Sequence, residues 1–167
     1  MHFNITSDSA DYTKKIGNFF SKVVSAGDII IFSGELGGGK TTFITGIAEG
    51  LGIRENIASP SFTIINLYNI SGRNKLVHVD FYRLESSKEM FDIGLEDYIY
   101  DNTSIICIEW GGKFKKYLCK DFLKVTLNYV IENKGMEETT KRLIGFESSN
   151  SYWDKKLEKF KRVLRIK

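Results

Sequence analysis

The sequence predicts an α/β fold: a three-layer sandwich with a mixed, mainly parallel central sheet and an antiparallel hairpin near its C-terminal end. Two short runs, 28–33 and 104–109, are almost wholly apolar, as expected of strands covered on both faces. Helix-like segments separate the predicted strands, and two stretches with two-residue alternation lie near the C-terminus. Buried strands that alternate with helices are typical of a sheet enclosed between helical layers.

The N-terminal part of the chain predicts a helix, a buried strand and a second helix. Ser7 or Asp8 can cap a helix that runs to about Ser25. Apolar residues recur in it at helical spacing, namely Ile16, Phe19, Phe20, Val23 and Val24. The strand 28–33 follows, then a glycine-rich turn and a helix from about Lys40 to Gly50.

The middle of the chain predicts a hairpin, a broken helix and the second buried strand. The strand-like runs 61–70 and 75–81 flank Ser-Gly-Arg-Asn at 71–74, a favourable hairpin turn. Helical periodicity over 87–100 is interrupted at Gly94. The apolar run 104–109 comes next.

The C-terminal part predicts an antiparallel pair and a closing helix. The alternating runs 122–131 and 137–146 are separated by Asn-Lys-Gly at 133–135, which favours a turn between paired strands. A basic amphipathic helix at about 152–166 carries one apolar stripe, formed by Trp153, Leu157, Phe160 and Leu164.

Length and composition predict a single domain over residues 1–167. Twelve Phe, eight Tyr and two Trp exclude a disordered or low-complexity chain. No apolar run is long enough to span a membrane and residues 1–6 resemble no signal peptide, so we expect a soluble, cytoplasmic protein without membrane contact. The spacing of Cys107 and Cys119 argues against a disulfide framework and against structural zinc.

The net charge of +3 is unevenly distributed. Residues 152–167 hold seven basic and two acidic residues, so the remainder of the chain is slightly acidic. We therefore expect no DNA-binding surface, and any contact with a polyanion would fall to the basic closing helix. A solvated charged face explains that helix about equally well.

A phosphate-binding loop is the strongest motif in the chain. The segment Gly-Glu-Leu-Gly-Gly-Gly-Lys-Thr at 34–41 fits G-x-x-x-x-G-K-[ST] between a buried strand and a helix. Glycines carry no side chain, so the backbone can approach a triphosphate closely in this loop. The amides that can converge on the triphosphate, near the positive helix N-terminus, are those from Gly37 to Thr42, including Gly38 and Gly39. Lys40 can reach the outer phosphates, and Thr41 can bind Mg²⁺. The motif predicts a P-loop NTPase-like sandwich rather than an incidental turn.

Two carboxylates at predicted strand ends are candidates to hold the metal, and together with Lys40 they are the candidate catalytic residues. Glu109 ends the more apolar strand and is the better metal partner, whereas Asp80 fits a role near the outer phosphate, orienting water. A surface carboxylate is the alternative for each. We interpret His78 as a structural histidine and Arg83 as an ion-pair partner of Asp80 rather than a phosphate ligand.

The nucleotide is expected to be ATP. The guanine-binding pattern N-K-x-D is absent, since the Asn-Lys pairs at 74–75 and 133–134 are not followed by Asp at the required position.

Five blocks together resemble the bacterial TsaE (YjeE) family in order and spacing, over roughly residues 5–130. They are Ser-Gly-Glu-Leu-Gly-Gly-Gly-Lys-Thr-Thr-Phe at 33–43, Ser-Pro-Ser-Phe-Thr at 59–63, His-Val-Asp-Phe-Tyr-Arg-Leu at 78–84, Gly-Leu-Glu-Asp-Tyr at 94–98 and Ile-Glu-Trp at 108–110.

The resemblance implies a small ATPase required to make N6-threonylcarbamoyladenosine in tRNA. It implies docking on the TsaB–TsaD heterodimer, ATP hydrolysis that resets that complex, and only an indirect connection with tRNA; TsaC or a relative would supply the threonylcarbamoyl-adenylate. It also implies ATP binding by residues 37–42, Mg²⁺ binding by Thr41 and Glu109, and a functional role for Asp80.

Residues 59–63 resemble the family's switch-like segment. Ser59 precedes Pro60 and is biased away from helix, and a bound γ-phosphate could order such a loop. Candidate switch or partner contacts are Ser59, Thr63, Arg83 and Trp110. We prefer Thr63 to Ser61, because Ser61 replaces a more usual Thr. An ordinary connecting loop and a packing Trp are the alternatives.

Two other function classes compete with the partner-coupled ATPase. A P-loop kinase for a nucleoside or metabolite usually carries an arginine-rich lid. Residues 111–150 contain a single arginine, in the pair Lys141-Arg142 of a strand-like run, which argues against a lid. A binding module with a structural nucleotide would not need Lys40, Thr41 and Glu109 together.

Overall fold

A computed structural model describes residues 1–72, 74–118, 121–130, 140–148 and 150–165. The strands within these ranges are β1 (His2–Ser7), β2 (Ile29–Gly34), β3 (Ile65–Asn69), β4 (Lys75–Asp80), β5 (Ser104–Glu109), β6 (Leu123–Tyr129) and β7 (Arg142–Glu147). The helices are α1 (Ala10–Phe20), α2 (Lys40–Gly50), α3 (Ser87–Asp92), α4 (Leu95–Tyr100) and α5 (Ser151–Leu164), with 3₁₀ turns at Gly111–Lys113 and Lys115–Tyr117.

The strands form one mixed sheet in the order β1-β7-β6-β2-β5-β4-β3. The central pairings β6–β2, β2–β5 and β5–β4 are parallel, whereas β1–β7, β7–β6 and β4–β3 are antiparallel. The prediction of an α/β fold with a mixed sheet is confirmed, as is the antiparallel pair near the C-terminus. The parallel part is confined to the centre of the sheet, because both edges are completed by hairpin-like pairs.

Each face of the sheet carries its own hydrophobic cluster. Ile30 and Phe32 of β2 pack with α1, α2 and α5 on one face. Ile29 and Ile31 pack with α3, α4 and the 3₁₀ turns on the other. Burial of both faces explains why β2 is apolar without alternation.

The contact between α1 and α2 depends on two glycines. A Cβ built on Gly17 would overlap the carbonyl oxygen of Phe43, and one built on Gly46 would overlap that of Lys14. The two helices therefore approach at backbone distance, which holds α2 and the loop before it against the sheet.

The N-terminal segment differs from the expectation. Residues 2–7 form β1, an edge strand paired with β7, where no strand was predicted. The cap of α1 is Ser9, whose hydroxyl accepts from the amide of Tyr12, and not Ser7 or Asp8. Ser7 ends the strand and its hydroxyl meets Thr13 at 2.8 Å. Half-exposed edge strands rich in polar residues carry little hydrophobic signal, which is why this one was missed.

Most other predicted elements are confirmed. Helix α2 has the predicted bounds, the helical segment is broken at Gly94, and 104–109 is a strand buried throughout. Helix α1 ends at Phe20, short of Ser25. Arg73 and Cys119, like the turn 133–135, lie outside the described residues.

The closing helix α5 is fixed to the sheet by its predicted apolar stripe and by polar contacts. Trp153, Leu157 and Phe160 are buried. Tyr152 donates a hydrogen bond of 2.7 Å to the buried carboxylate of Asp28, which also pairs with Lys156. Among the described residues, no helix combines the length and apolarity needed to cross a membrane.

Candidate functional site

The candidate site lies where the parallel strands β2, β5 and β4 end. Glu109 at the end of β5 is in register with Phe32 of β2 on one side and with Asp80 of β4 on the other. Ligands of open α/β sheets bind outside the carboxyl ends of parallel strands. The register therefore brings two acids, 29 residues apart in sequence, beside the glycine loop that follows β2.

The glycine loop has a backbone that only glycine adopts without strain. Gly34, Gly37 and Gly39 have φ of 117°, 71° and 98°. A Cβ on Gly38 would lie 2.6 Å from the carbonyl oxygen of Leu127 in β6. The loop is thus pressed against β6 and turns sharply into α2.

The first turn of α2 presents backbone donors at the loop. The bond from the Phe43 amide to the Gly39 carbonyl, 2.9 Å long, opens the helix. The amides of residues 40–42 precede that bond and belong to the first turn, whose N–H groups have no intrahelical acceptor. With the positive end of the helix dipole, these amides form a site suited to a phosphate group.

Lys40 lies in the cleft with its ammonium folded over the loop. Its Nζ donates to the carbonyl oxygens of Glu35 at 2.7 Å and Gly34 at 3.4 Å. The ammonium also lies 4.1 Å from the centre of the Trp110 ring, a cation–π distance. Burial lowers the pKa of Lys40, while the negative charges of Glu109 and Asp80 oppose that shift.

Glu109 is the centre of a hydrogen-bonded chain across three elements. Its Oε1 accepts from the hydroxyl of Thr41 at 2.7 Å and lies 2.9 Å from Nε2 of His78. His78 is fully buried and Glu109 is 3% exposed. The chain connects the first turn of α2 to β5 and β4, so it fixes the carboxylate relative to the loop.

Asp80 accepts three hydrogen bonds. Its Oδ2 receives the hydroxyls of Ser59 at 2.7 Å and Ser61 at 2.9 Å, and its Oδ1 receives the amide of Tyr82 at 2.9 Å. Because both oxygens are held, the carboxylate has one orientation at the edge of the cleft. Its position beside Lys40 and Glu109 suits a group that orients water.

These residues surround one cleft of about 370 Å³. The predicted residues that line it are Gly37, Gly38, Gly39, Lys40, Thr41, Thr42, Ser59, Asp80, Arg83, Glu109 and Trp110. Thr63 is not among the lining residues. Its hydroxyl donates instead to Asn66 at 2.8 Å on an exposed turn.

Two expectations change at this cleft. The hydroxyl of Ser61, which we set aside in favour of Thr63, reaches Asp80 together with that of Ser59. Arg83 stacks on Phe62, with its guanidinium carbon 4.2 Å from the ring centre. The ion pair of Arg83 with Asp80 is not found within the described part of the chain, where Ser59, Ser61 and the Tyr82 amide occupy that carboxylate.

His78 is a buried, hydrogen-bonded histidine, in agreement with its interpretation as a structural residue, and its partner is Glu109. Leu76, His78 and Asp80 alternate with Val77 and Val79, so the histidine shares a face of β4 with Asp80. That two-residue spacing was visible in the sequence. The pairing with Glu109 was not, because it depends on the parallel register of β4 with β5.

The oxygen atoms in the cleft fit a magnesium ion. Thr41 and Glu109 meet at 2.7 Å and offer hard oxygen donors, with a further carboxylate at Asp80. The described residues contain no cluster of three or more Asp, Glu, His or Cys side chains able to hold a metal by themselves. Mg²⁺ in proteins typically takes one or two protein ligands and completes its shell with water and substrate phosphates.

Comparison with known proteins relates most of the chain to one family. The family model described as threonylcarbamoyl adenosine biosynthesis protein TsaE matches residues 7–140. A TsaE protein of Treponema pallidum, described as a tRNA threonylcarbamoyladenosine biosynthesis protein, is 36% identical over 126 residues, which are 75% of this chain and 91% of the relative. The Bacillus subtilis protein of the same description is 38% identical over 126 residues, 75% of each chain.

A solved structure agrees with these sequence matches. The crystal structure of YdiB from Bacillus subtilis superposes with a TM-score of 0.78 at 27% identity. The superposition covers 97% of this chain and 95% of YdiB, so it extends beyond the family-model match into α5.

Proposed function

The chain belongs to the TsaE family, which acts in the biosynthesis of threonylcarbamoyladenosine in tRNA, and from this premise we propose that it is a Mg²⁺-dependent ATPase of that pathway. It works with the TsaB–TsaD heterodimer in the cytoplasm, and its hydrolysis of ATP supports repeated turnover of the complex. It contacts tRNA only through its partners.

The observation that carries this proposal is the hydrogen bond of 2.7 Å between Thr41 and Glu109. A threonine that follows the loop lysine and a carboxylate at the end of the neighbouring strand are the two protein groups that hold Mg²⁺ in P-loop ATPases. A structural nucleotide site needs neither group. Their contact, beside Lys40 in a glycine-lined cleft, favours phosphate chemistry over passive binding.

Each residue has a separable task in hydrolysis. The amides of the first turn of α2 bind the phosphates, and Lys40 exchanges its loop carbonyls for the outer phosphate oxygens. Glu109, held by His78, keeps the Thr41 hydroxyl oriented. Asp80 accepts a hydrogen bond from the attacking water and orients it. When bound, Mg²⁺ neutralises charge on the phosphates.

The rim of the cleft supports coupling to a protein partner. Leu36 is 73% exposed and Tyr82 is 54% exposed, and both line the cleft, whereas Phe62, which is 83% exposed, follows the lining residue Ser61. Exposed aromatic side chains are typical of protein interfaces. Since Ser59 and Ser61 hold Asp80, the segment that carries Phe62 is linked to the catalytic carboxylate, and a partner on this rim would sense the state of the nucleotide.

The decisive experiment measures phosphate release with and without TsaB–TsaD. We expect wild-type protein to hydrolyse ATP faster with the heterodimer, and Lys40→Ala to lose binding and turnover. Lys22→Ala, at an exposed lysine after α1, is the matched control and should behave as wild type. Unchanged kinetics in Lys40→Ala would contradict the ATPase, and a rate indifferent to TsaB–TsaD would contradict the partnership.

The alternative function is that of a kinase, and the same assay with radiolabelled ATP distinguishes it from hydrolysis. Radiolabelled γ-phosphate should appear as free phosphate and not on a nucleoside or metabolite acceptor. Arg142, which the sequence places in a strand-like run and not in a lid, lies on β7 with its guanidinium carbon 3.9 Å from the ring centre of Tyr129. Its position in the sheet favours hydrolysis, because a lid residue must move over the phosphates.

A further inference from the structure

Glu35, the second residue of the glycine loop, contacts other parts of the chain through both its backbone and its side chain. Its carbonyl oxygen accepts from the amide of Gly38 at 3.0 Å and from Nζ of Lys40 at 2.7 Å. Oε2 of its exposed carboxylate accepts from the amide of Tyr129, at the end of β6, at 2.9 Å. The proposed ATPase mechanism assigns no role to this carboxylate.

The amide of Tyr129 has lost the strand neighbour that would accept from it. Successive amides of a strand point to alternate neighbours. The amide that follows Tyr129 donates to the carbonyl of Lys141 at 3.1 Å, so the amide of Tyr129 itself points to the β2 side. Gly34, the last residue of β2, is in register with Leu127, two positions before Tyr129. Because Glu35 directly follows Gly34, its side chain takes the place of the missing strand.

The side chain of Tyr129 restrains the next two residues of the loop. Its hydroxyl donates to the carbonyl oxygen of Leu36 over a long distance of 3.4 Å. A Cβ built on Gly37 would lie 2.6 Å from the same hydroxyl, so the loop backbone passes directly against the phenol. Three consecutive residues of the loop therefore contact one residue of β6, and the sheet sets the conformation of this part of the loop.

The bond to Tyr129 also decides where the negative charge of Glu35 lies. Glu35 does not line the cleft, whereas Leu36 and Gly37, which follow it, do. A carboxylate that faced bound phosphates would repel them. The hydrogen bond to β6 holds this carboxylate outside the phosphate site, while the carbonyl of the same residue reaches Lys40 inside it.

We propose that Glu35 is a positioning residue for phosphate binding: by accepting the Tyr129 amide, its carboxylate holds the loop in the conformation that receives the phosphates. A loop that is ordered in advance loses less conformational entropy when it binds, which increases affinity. The effect is on binding and not on the chemical step, since the side chain does not line the cleft. The inference rests on the proposed function, because it assumes that the loop binds the phosphates of a nucleotide.

The test compares Glu35→Ala with Glu35→Gln, which removes the charge but keeps an oxygen that can accept from Tyr129. Calorimetric titration with Mg²⁺ gives the affinities for ATP and for inorganic tripolyphosphate, and phosphate release at saturating ATP gives kcat. Glu35→Ala should bind both ligands about five-fold more weakly, the size expected for one lost hydrogen bond. Its kcat should stay within about two-fold of wild type, and Glu35→Gln should recover most of the affinity.

Two further variants separate this role from a general effect on the sheet. Glu147→Ala is the matched control, because Glu147 is an exposed carboxylate that accepts from Lys124 at the start of β6, the end of the strand away from the loop. It should match wild type for both ligands. Tyr129→Phe removes the hydroxyl and keeps the amide that Glu35 binds, so it should lose less affinity than Glu35→Ala.

The outcomes distinguish this inference from the function on which it rests. Wild-type affinity in Glu35→Ala would overturn the positioning role. Tighter binding in both Glu35 variants would overturn it as well, since the carboxylate would then act on the phosphates by its charge alone. A fall in kcat at unchanged affinity would show a role in the chemical step instead. If wild-type protein bound neither ATP nor tripolyphosphate, the proposed ATPase itself would fail.

Discussion

Nε2 of the buried His78 lies 2.9 Å from Oε1 of Glu109, the same oxygen that accepts the Thr41 hydroxyl at 2.7 Å. Both contacts are made to the same carboxylate oxygen, Oε1, and together they fix the orientation of the carboxylate, including its second oxygen. Groups that hydrogen-bond to a metal ligand orient it and tune its affinity. His78 is therefore a positioning residue for the carboxylate that we propose as a Mg²⁺ ligand.

Replacement of His78 should weaken the use of magnesium more than the binding of nucleotide. His78→Leu removes the donor and should raise the Mg²⁺ concentration at half-maximal phosphate release by about 10- to 100-fold. His78→Gln, which retains a donor, should recover part of that loss. Nucleotide affinity without Mg²⁺ is measured in parallel, and a Leu variant with a wild-type requirement for Mg²⁺ would show that His78 only fills space.

The hydroxyl of Ser61 should matter where that of Thr63 does not. Ser61→Ala removes one of the donors that hold Asp80, so we expect kcat to fall about 10-fold, or ~1.4 kcal/mol, with KM little changed. Thr63→Ala is the matched control, because the hydroxyl of Thr63 donates its hydrogen bond to Asn66 and not to Asp80. Steady-state kinetics decide the matter, and a larger loss in Thr63→Ala would reverse the assignment.

The Trp110 ring should hold the Lys40 ammonium in the cleft. Trp110→Leu removes a contact of 4.1 Å worth about 1 kcal/mol, so ATP affinity should fall roughly 5-fold. Trp110→Phe keeps an aromatic face and should lose less. Calorimetric titration of ATP into both variants gives the order of their affinities. If Trp110→Leu bound ATP as tightly as Trp110→Phe, a cation–π contribution would be excluded.

A stability prediction concerns the contact between α1 and α2. Gly46→Ala places a methyl group against the Lys14 carbonyl, and we expect unfolding to become easier by about 2 kcal/mol despite the better helix propensity of Ala. Gly112→Ala is the control, since its nearest neighbour, Oγ of Ser33, would lie 3.6 Å away, an ordinary contact. Urea denaturation measures both, and equal stabilities would disprove close packing at Gly46.

Local patterns allowed much of the fold to be predicted. The buried strands β2 and β5 have apolar runs, helix α2 follows a loop with its own motif, and Gly94 breaks a helical pattern. Each of these signals lies within about ten residues. The polar edge strand β1 was missed because its stability comes from pairing with β7, whose residues lie 135 to 145 positions further along the chain.

The sequence by itself determined the glycine loop, its lysine and threonine, the two candidate acids and the family, since all of these are contiguous motifs. Only the tertiary structure decided that Glu109 meets Thr41 and His78, that Asp80 is held by Ser61 and not by Arg83, and that Arg142 stands beside the loop. Those contacts depend on strand order and register, and a shift of one residue would turn His78 or Glu109 to the opposite face of the sheet.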